Sequence, residues 1–530
     1  MDTNRAGRRE WIGLAVLALP TLLISLDVFV LLLALPRLSA DLHASSTQQL
    51  WITDIYGFLL SGFLITMGTL GDRLGRRRLL LAGSAAFGVA SVLAAYSTSP
   101  GMLIAARAVL GIAGATLGPS TLALITNMFR DPRQRAVAIS VWMVCFMAGA
   151  AIGPLVGGLL LDSFWWGSVF LLGVPAMLLL LVLGPVLLPE YRDENAGRVD
   201  LPSVALSLAA ILPAIYGLKE LARTGWHPLP AAALVFGVGV GAVFVARQRS
   251  LEDPLLDLRL FANRTFAAAM TGMMFGTLLM GAIMLFITEY FQLVAGLSPL
   301  RAGLCMLPAV VASTGSALAA PLVARRVRPA YVIAGGMAVA VVGLAVISQA
   351  GASGGLAAVI TGFALINLGG GPMVVLSLDL VVGSVPPHRA GLAAAMNETG
   401  SQFGFAFGIA ALGSIGTAIY RHDVGGSLPP HLPPAAARES TDTLAGATHA
   451  AAGLPDGVAR PLLATARAAY TTEMHASALI SGVLLAGVTI LTVALLRHVR
   501  PTTPPVTPAP TATDATADLA EPELAPAPTH

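Results

Sequence analysis

Apolar runs long enough to cross a lipid bilayer recur along this chain from end to end, and they limit its fold more than any other feature. They fall at about 12–35, 50–70, 79–97, 102–125, 136–161, 167–188, 201–219, 229–246, 265–289, 302–322, 331–349, 356–382, 391–419 and 474–496, fourteen in all, each bounded by charge, proline or glycine. A helix needs about 20 apolar residues to cross the hydrocarbon core. Hydrophobic residues make up 56% of the 530 and charged residues 11%, against about 25% charged in a typical soluble domain. A water-soluble fold could not hide that much apolar surface. The expected fold class is an all-α polytopic membrane protein with 14 transmembrane helices.

Charge placement tests the count. With the N-terminus in the cytoplasm, 22 of the 31 basic residues fall in cytoplasmic segments, beginning with Arg5, Arg8 and Arg9. Eight, among them Arg37, Lys219 and Arg301, fall outside, and Arg107 lies within a span. The bias alternates correctly across every short loop, as the positive-inside rule requires, and places both termini in the cytoplasm. Thirteen spans would break the alternation. The first run is too long for a signal-peptide core and shows no clear cleavage site, so it reads as a retained anchor. Cys145 and Cys305 sit inside apolar runs and imply no disulfide framework. Residues 421–473 read as a long Ala/Pro-rich external loop with a short amphipathic helix near 457–470. Residues 501–530, rich in Thr, Pro and Ala, read as a disordered cytoplasmic tail.

The loop "GTLGDRLGRRR", residues 68–78, concentrates charge between the second and third runs. Topology alone accounts for Arg76, Arg77 and Arg78. It does not account for Asp72, which weakens the signal, nor for Gly68, Gly71 and Gly75 at three- and four-residue spacing. Such glycines admit a close helix, and an acid there can pair with an arginine or a facing helix N-terminus. Together they suggest a cytoplasmic latch between helix bundles.

Gly68-x-Leu70-x-Asp72-Arg73-x-Gly75-Arg76-Arg77 resembles the signature loop of the major facilitator superfamily. A worn copy, "GSALAAPLVARRVRP", follows the tenth run, as internal duplication would leave it. "LIAARAVLGIAGA" (103–115), with Arg107 and Gly111, is similar to the superfamily's fourth-helix motif. "GAAIGPLVGG" (149–158) is similar to the fifth-helix motif of antiporters; Gly149, Gly153 and Gly157 share a face and Pro154 favours a kink. "LDVFVLLLALPRL" from Leu26, "YFQLVAGLSPLRAG" (290–303) and "AGLAAAMNETGSQFGFAFGIA" (390–410) resemble the fourteen-helix drug:proton antiporters, the last of them the subgroup that exports quaternary ammonium compounds and dyes. The resemblance implies the major facilitator fold: a six-helix bundle over 1–190, a linker over 191–264 carrying inserted helices 7 and 8, and a second six-helix bundle over 265–500. It implies a monomer in the cell membrane, surrounded by lipid, with a proton and a small lipophilic drug as its partners, without cofactor or nucleic acid.

Ionisable groups inside spans are expensive and therefore functional candidates. Asp27 and Arg107 occur at similar depth, on helices that neighbour one another in the family's arrangement. A pair that forms in one conformation and breaks in another would couple proton affinity to movement; a static buried ion pair is the alternative. Asp54 is a further proton-coupling candidate or a solvated acid at the outer mouth, and Glu289 reads as the latter. Glu398 is the candidate for attracting a cationic substrate, with Asn397 and Gln402 beside it and Phe403, Phe405 and Phe407 available for stacking. Gln402 stands where the quaternary-ammonium exporters place a second acid, which favours monocations or neutral drugs. Gly68, Asp72, Arg73, Gly75 and Arg76, with Gly149, Gly153, Pro154 and Gly157, are the conformational candidates.

No Gly-x-x-x-x-Gly-Lys-Ser/Thr loop is present, so ATP-driven pumping is excluded. Neither His-Glu-x-x-His nor Gly-x-Ser-x-Gly occurs and no histidine lies mid-span, which leaves no metal or nucleophile constellation and argues against an enzyme. No soluble segment is long enough for a sensor's output domain. The expected function is proton-coupled efflux of lipophilic, monocationic drugs and dyes by alternating access. The alternative is a dedicated exporter of one endogenous product, such as an antibiotic.

Overall fold

The computed structural model describes residues 6–192, 200–251, 254–351, 354–385, 390–429 and 432–499. The expected tail at 501–530 lies outside them. In chain order the helices are α1 (Arg8–Asp41), α2 (Ser46–Leu74), α3 (Arg76–Ala95), α4 (Pro100–Met128), α5 (Pro132–Ser163), a short α6 (Ser168–Leu171) continued by α7 (Gly173–Leu187), α8 (Leu201–Thr224) and α9 (Pro228–Ser250). Then come α10 (Arg264–Glu289), α11 (Pro299–Ala324), α12 (Pro329–Ile347), α13 (Leu356–Gly383), α14 (Ala390–Gly425), the short α15 (Pro434–Asp442) and α16 (Leu444–Ala452), and α17 (Asp456–Leu496). Thirteen spans are long and apolar enough to cross a bilayer, α6 and α7 counting as one. The 32-residue α5, with apolar stretches Val137–Phe146 and Ile152–Ser163, makes the fourteenth. The described residues contain no strand.

Local chemistry sets several boundaries. Ser45, Ser99 and Ser298 cap α2, α4 and α11 by accepting a backbone N–H, and Pro100 and Pro299 open the latter two, where a missing N–H costs nothing. Gly75, at φ +112°, breaks α2 from α3 in a conformation that suits glycine. Asp200 caps α8 and also receives Arg247 of α9 at 3.0 Å. Burial raises that carboxyl, but the hydrogen bonds from Ser203 and Arg247 outweigh it and hold it below the ordinary carboxylate range.

Packing separates the spans into two sets. Helices α1 to α7 pack on one another, and α10 to α14 pack together with α17. The sets meet along α2–α14 and α5–α11, while α8 and α9 form a hairpin laid against α2 and α14. The rim is apolar: Val182, Leu318 and Val483 are 69%, 72% and 75% exposed. In water this would be a severe liability; toward lipid tails it is the expected surface.

The segment 421–473 departs from the expected loop. It continues α14 to Gly425, forms α15 and α16, and joins α17, which begins at Asp456. The amphipathic helix expected near 457–470 is thus the first part of the last span. The end of the bundle carrying the N-terminus is termed proximal and the opposite end distal.

Candidate functional site

Asp27 of α1 and Arg107 of α4 form an ion pair at 2.6 Å. Gly111 is part of the reason. A Cβ there would lie 2.6 Å from the Tyr56 carbonyl oxygen, so glycine lets α2 approach α4 closely. That approach gives Arg107 two further partners. Its Nε donates to the Ile52 carbonyl at 3.2 Å, and its guanidinium lies 4.5 Å from the Tyr56 ring centroid. Arg107 is 1% exposed and Asp27 14%. The cation is enclosed and pinned, while the acid faces accessible space.

Asp54 has a different partner. Lys219 of α8 reaches it at 2.7 Å, both side chains are fully enclosed, and the ammonium lies 4.0 Å from the Trp51 ring centroid. The expectation of a solvated acid at the outer mouth is overturned, and so is the placement of Lys219 in an external loop. Helix α8 runs past its apolar stretch to Thr224 and carries the lysine against α2.

Glu289 is also buried rather than solvated. It accepts a hydrogen bond from the Gln49 side-chain amide, and with Glu473, Tyr420 and Tyr470 it lines a distal cavity of about 40 Å³. Glu473, read from sequence as part of the external loop, is 7% exposed. Other polar links between the two sets gather nearby: Gln292 donates to the Leu33 carbonyl, and Asp442 accepts from the Ser46 amide.

Glu398 is half-buried on α14 and accepts from Gln402 Nε2 at 2.9 Å. The Asn397 side chain is buried and its Oδ1 has no hydrogen-bond partner. At about 100° per residue, Glu398 and Gln402 lie on neither of two other faces of α14. One bears Gly400, Gly404 and Gly408, which approach α10. The other bears Phe403 and Phe407, stacked on each other at 5.7 Å and packed with Phe58 and Ile215 against α2 and α8. Those two rings lie half-buried in the seam beside the hairpin.

A cavity of about 280 Å³ lies mainly within the second set and is joined by Phe29, Phe146 and Pro154 of the first. Its walls are apolar and rich in methionine, with Met280, Met284, Met306, Met337 and Met373, relieved by Thr277, Ser313, Thr314 and Asn367. Methionine adapts to ligands of varied shape. Glu398 is not among the lining residues.

The glycine motifs also find partners other than those expected. A Cβ on Gly149, Gly153 or Gly157 would press on Leu22, Phe29 or Val30, so that row seats α5 on α1 within its own set. Contact with α11 comes instead where Gly303 meets the Pro154 carbonyl and Gly158 meets Leu300. In the charged loop, Asp72 pairs with Arg76 at 2.6 Å, a Cβ on Gly68 would lie 3.9 Å from Pro119 of α4, and Arg73 is exposed. The loop is tied to the end of α7: the Arg76 amide donates to the Tyr191 carbonyl at 2.9 Å, and Glu190 draws Arg77 and Arg78 to 3.5 and 3.7 Å. In this conformation the expected latch joins parts of one set rather than the two.

Comparison with known proteins agrees with this architecture. The description "Major Facilitator Superfamily" matches residues 17–409. The chain is 43% identical to the "Multidrug efflux pump LfrA" of Mycolicibacterium smegmatis over 94% of its own length and 98% of the relative's. It is 32% identical to the "Methyl viologen resistance protein SmvA" of Salmonella typhimurium, covering 87% and 93%. It is 34% identical to the "Puromycin resistance protein pur8" of Streptomyces alboniger, covering 79% and 85%. Among solved structures, a bacterial homolog of the human lysosomal transporter Spinster matches with a TM-score of 0.67 at 16% identity over 93% of this chain and 98% of that one. The chain therefore belongs to the major facilitator superfamily, in its drug-efflux family, and is a multi-pass membrane transporter rather than an enzyme.

Proposed function

We propose that this transporter exports lipophilic, monocationic drugs and dyes in exchange for protons, with Asp27 as the proton site and the proximal end in the cytoplasm. The observation that carries the reading is the asymmetry of the Asp27–Arg107 pair, a pinned cation facing a partly accessible acid. When Asp27 takes a proton its charge is lost, and Arg107 keeps the Ile52 carbonyl and the Tyr56 ring as partners. The acid can thus leave while the arginine keeps two of its three partners. Loss of the proton restores the attraction and draws α1 back toward α4. That is a two-state element whose equilibrium a proton biases, as alternating access between two six-helix halves requires.

The methionine-lined cavity accepts the apolar body of a substrate, and Glu398, which has an amide rather than a cation as its partner, supplies the attraction for positive charge. The Salmonella relative is named for resistance to methyl viologen, a dication, so the charge preference is the sharpest point of test. The alternative, export of one endogenous product, is favoured by the relative named for resistance to puromycin. The deciding experiment uses proteoliposomes with an imposed pH gradient and ethidium as substrate. Gradient-driven accumulation that collapses with a protonophore is expected. Transport indifferent to the gradient would sink the proton-coupled reading. Export confined to one compound in a wide panel would favour the alternative.

A further inference from the structure

We propose that His43, Glu439 and His449 form a divalent-cation site of the zinc class that ties the two sets of spans together at the distal end. His43 lies in the α1–α2 connection, Glu439 on α15 and His449 on α16. Glu439 Oε1 is 2.9 Å from His449 Nδ1 and 3.6 Å from His43 Nδ1, and all three potential ligand atoms lie within 4.8 Å of one another. Zinc binds His nitrogen and carboxylate oxygen at about 2.0–2.2 Å in a tetrahedron, which puts ligand atoms roughly 3.3 Å apart. The two separations from Glu439 bracket that value, and the two imidazoles offer nitrogens within 4.8 Å of each other, so side-chain rotations complete the geometry. Both imidazoles are exposed and the carboxylate is half-buried, leaving an entry path and room for water as the fourth ligand.

The surroundings hold the ligands in place. His43 adopts a left-handed backbone, φ +50°, the sole non-glycine among the described residues to do so with positive φ. Tyr420 donates its hydroxyl to the Ser440 carbonyl at 3.0 Å and anchors α15. Asp442 accepts from the Ser46 amide at 3.1 Å, keeping the α1–α2 connection against α15 without the metal. No local motif announces the site, because its ligands come from three segments and one of them is about 400 residues from the others. A cation held by all three favours the arrangement in which the distal ends of the two sets are together. The site stands on these contacts, independently of substrate and coupling.

The test uses the full-length protein in lipid nanodiscs with any affinity tag removed and ZnCl2 as the titrant. Calorimetry should show one site in the wild type, weakened at least tenfold in His43→Ala, in His449→Ala and in Glu439→Gln, and unchanged in His227→Ala. Hydrogen exchange then reads the bridge. At a zinc concentration about one hundred times Kd, opening of the bound arrangement falls about hundredfold. Amides at 42–46 and at 434–452 should slow together. Zinc binding that is absent from the wild type, or indifferent to all three ligand substitutions, overturns the site. Protection confined to 434–452 overturns the bridge.

Discussion

Two acid–base pairs lie inside the spans at almost the same separation, 2.6 Å for Asp27–Arg107 and 2.7 Å for Asp54–Lys219, yet their surroundings differ. The first leaves its acid 14% exposed and gives its cation a carbonyl and a ring to fall back on. The second is fully enclosed at the seam between α2 and the α8–α9 hairpin, and neither partner has a further hydrogen bond. Distance alone would rank them as equals. On the proposed reading, the partly exposed acid and the hydrogen bond held in reserve by the base make Asp27–Arg107 the exchangeable pair and Asp54–Lys219, whose base keeps only the Trp51 ring, the fastening. A buried pair broken on one side leaves an uncompensated charge, at a cost of about 3–5 kcal/mol, whereas replacing both partners with apolar residues is often neutral.

The largest effect should come from the exchangeable pair. Asp27→Asn preserves shape and removes the titrating group, so gradient-driven efflux should fall to background while downhill substrate movement survives. Arg107 loses its counter-charge and with it some thermal stability, but it retains Ile52 and Tyr56, so the protein should still insert and purify. Gradient-driven transport by the Asn variant at the parent rate in proteoliposomes would assign the proton elsewhere and erase the distinction between the pairs.

The fastening should respond in stability first. Lys219→Met leaves Asp54 enclosed without its cation and should lower the thermal midpoint of the solubilised protein markedly, in line with several kcal/mol. Asp54→Leu combined with Lys219→Met should recover most of that loss, and with it transport, because no charge is then stranded. A double variant that is as stable as the parent but fails to couple protons would show that Asp54 also belongs to the proton path.

The two pairs also show what sequence can reveal. Asp27 and Arg107 stand out because each charge interrupts an apolar background, and the fourteen spans are visible for the same reason. Lys219 and Glu473 were hidden at the margins of apolar runs, where hydropathy cannot tell a loop charge from a covered one. Both became buried because α8 and α17 extend beyond those runs and meet a neighbour. In the glycine row at 68–75, Gly68 meets Pro119 only at ordinary contact distance, whereas the row at 149–157 announces close approach, but not which helix approaches. That choice is made by tertiary packing, which gave the fifth-helix row to α1. Phe403 and Phe407 stand out in sequence as aromatics near Glu398, while their packing against α8 depends on the inserted hairpin.

A third acid sharpens the comparison by lacking a cation altogether. Glu398 bonds to the Gln402 amide rather than to a cation. Glu398→Gln should reduce ethidium efflux roughly tenfold, about 1.4 kcal/mol of lost attraction, and spare neutral substrates, which keep their apolar contacts. Gln402→Glu should improve export of long dications. Equal loss of neutral and cationic substrates at unchanged expression would give Glu398 a structural or coupling role instead.

The smallest effect on the folded protein should belong to Asp72. Its pair with Arg76 spans the break between α2 and α3 at Gly75, and the Asp72 side chain is 30% exposed. Such partly exposed pairs contribute up to about 1 kcal/mol, and Arg76 keeps its backbone bond to Tyr191 without the acid. Asp72→Asn should therefore hardly move the thermal midpoint or equilibrium substrate binding, since neither the methionine-lined cavity nor Glu398 is touched. Turnover is where the change should register. The Glu190 contacts of Arg77 and Arg78 fix the loop in the conformation seen here, and Asp72 holds the intervening Arg76 in register with them. Without that register, the loop has more arrangements to search at each reorientation, and transport should slow several-fold at saturating substrate. Weakened binding with unchanged turnover of bound substrate would place Asp72 with the substrate acids and remove it from the moving parts.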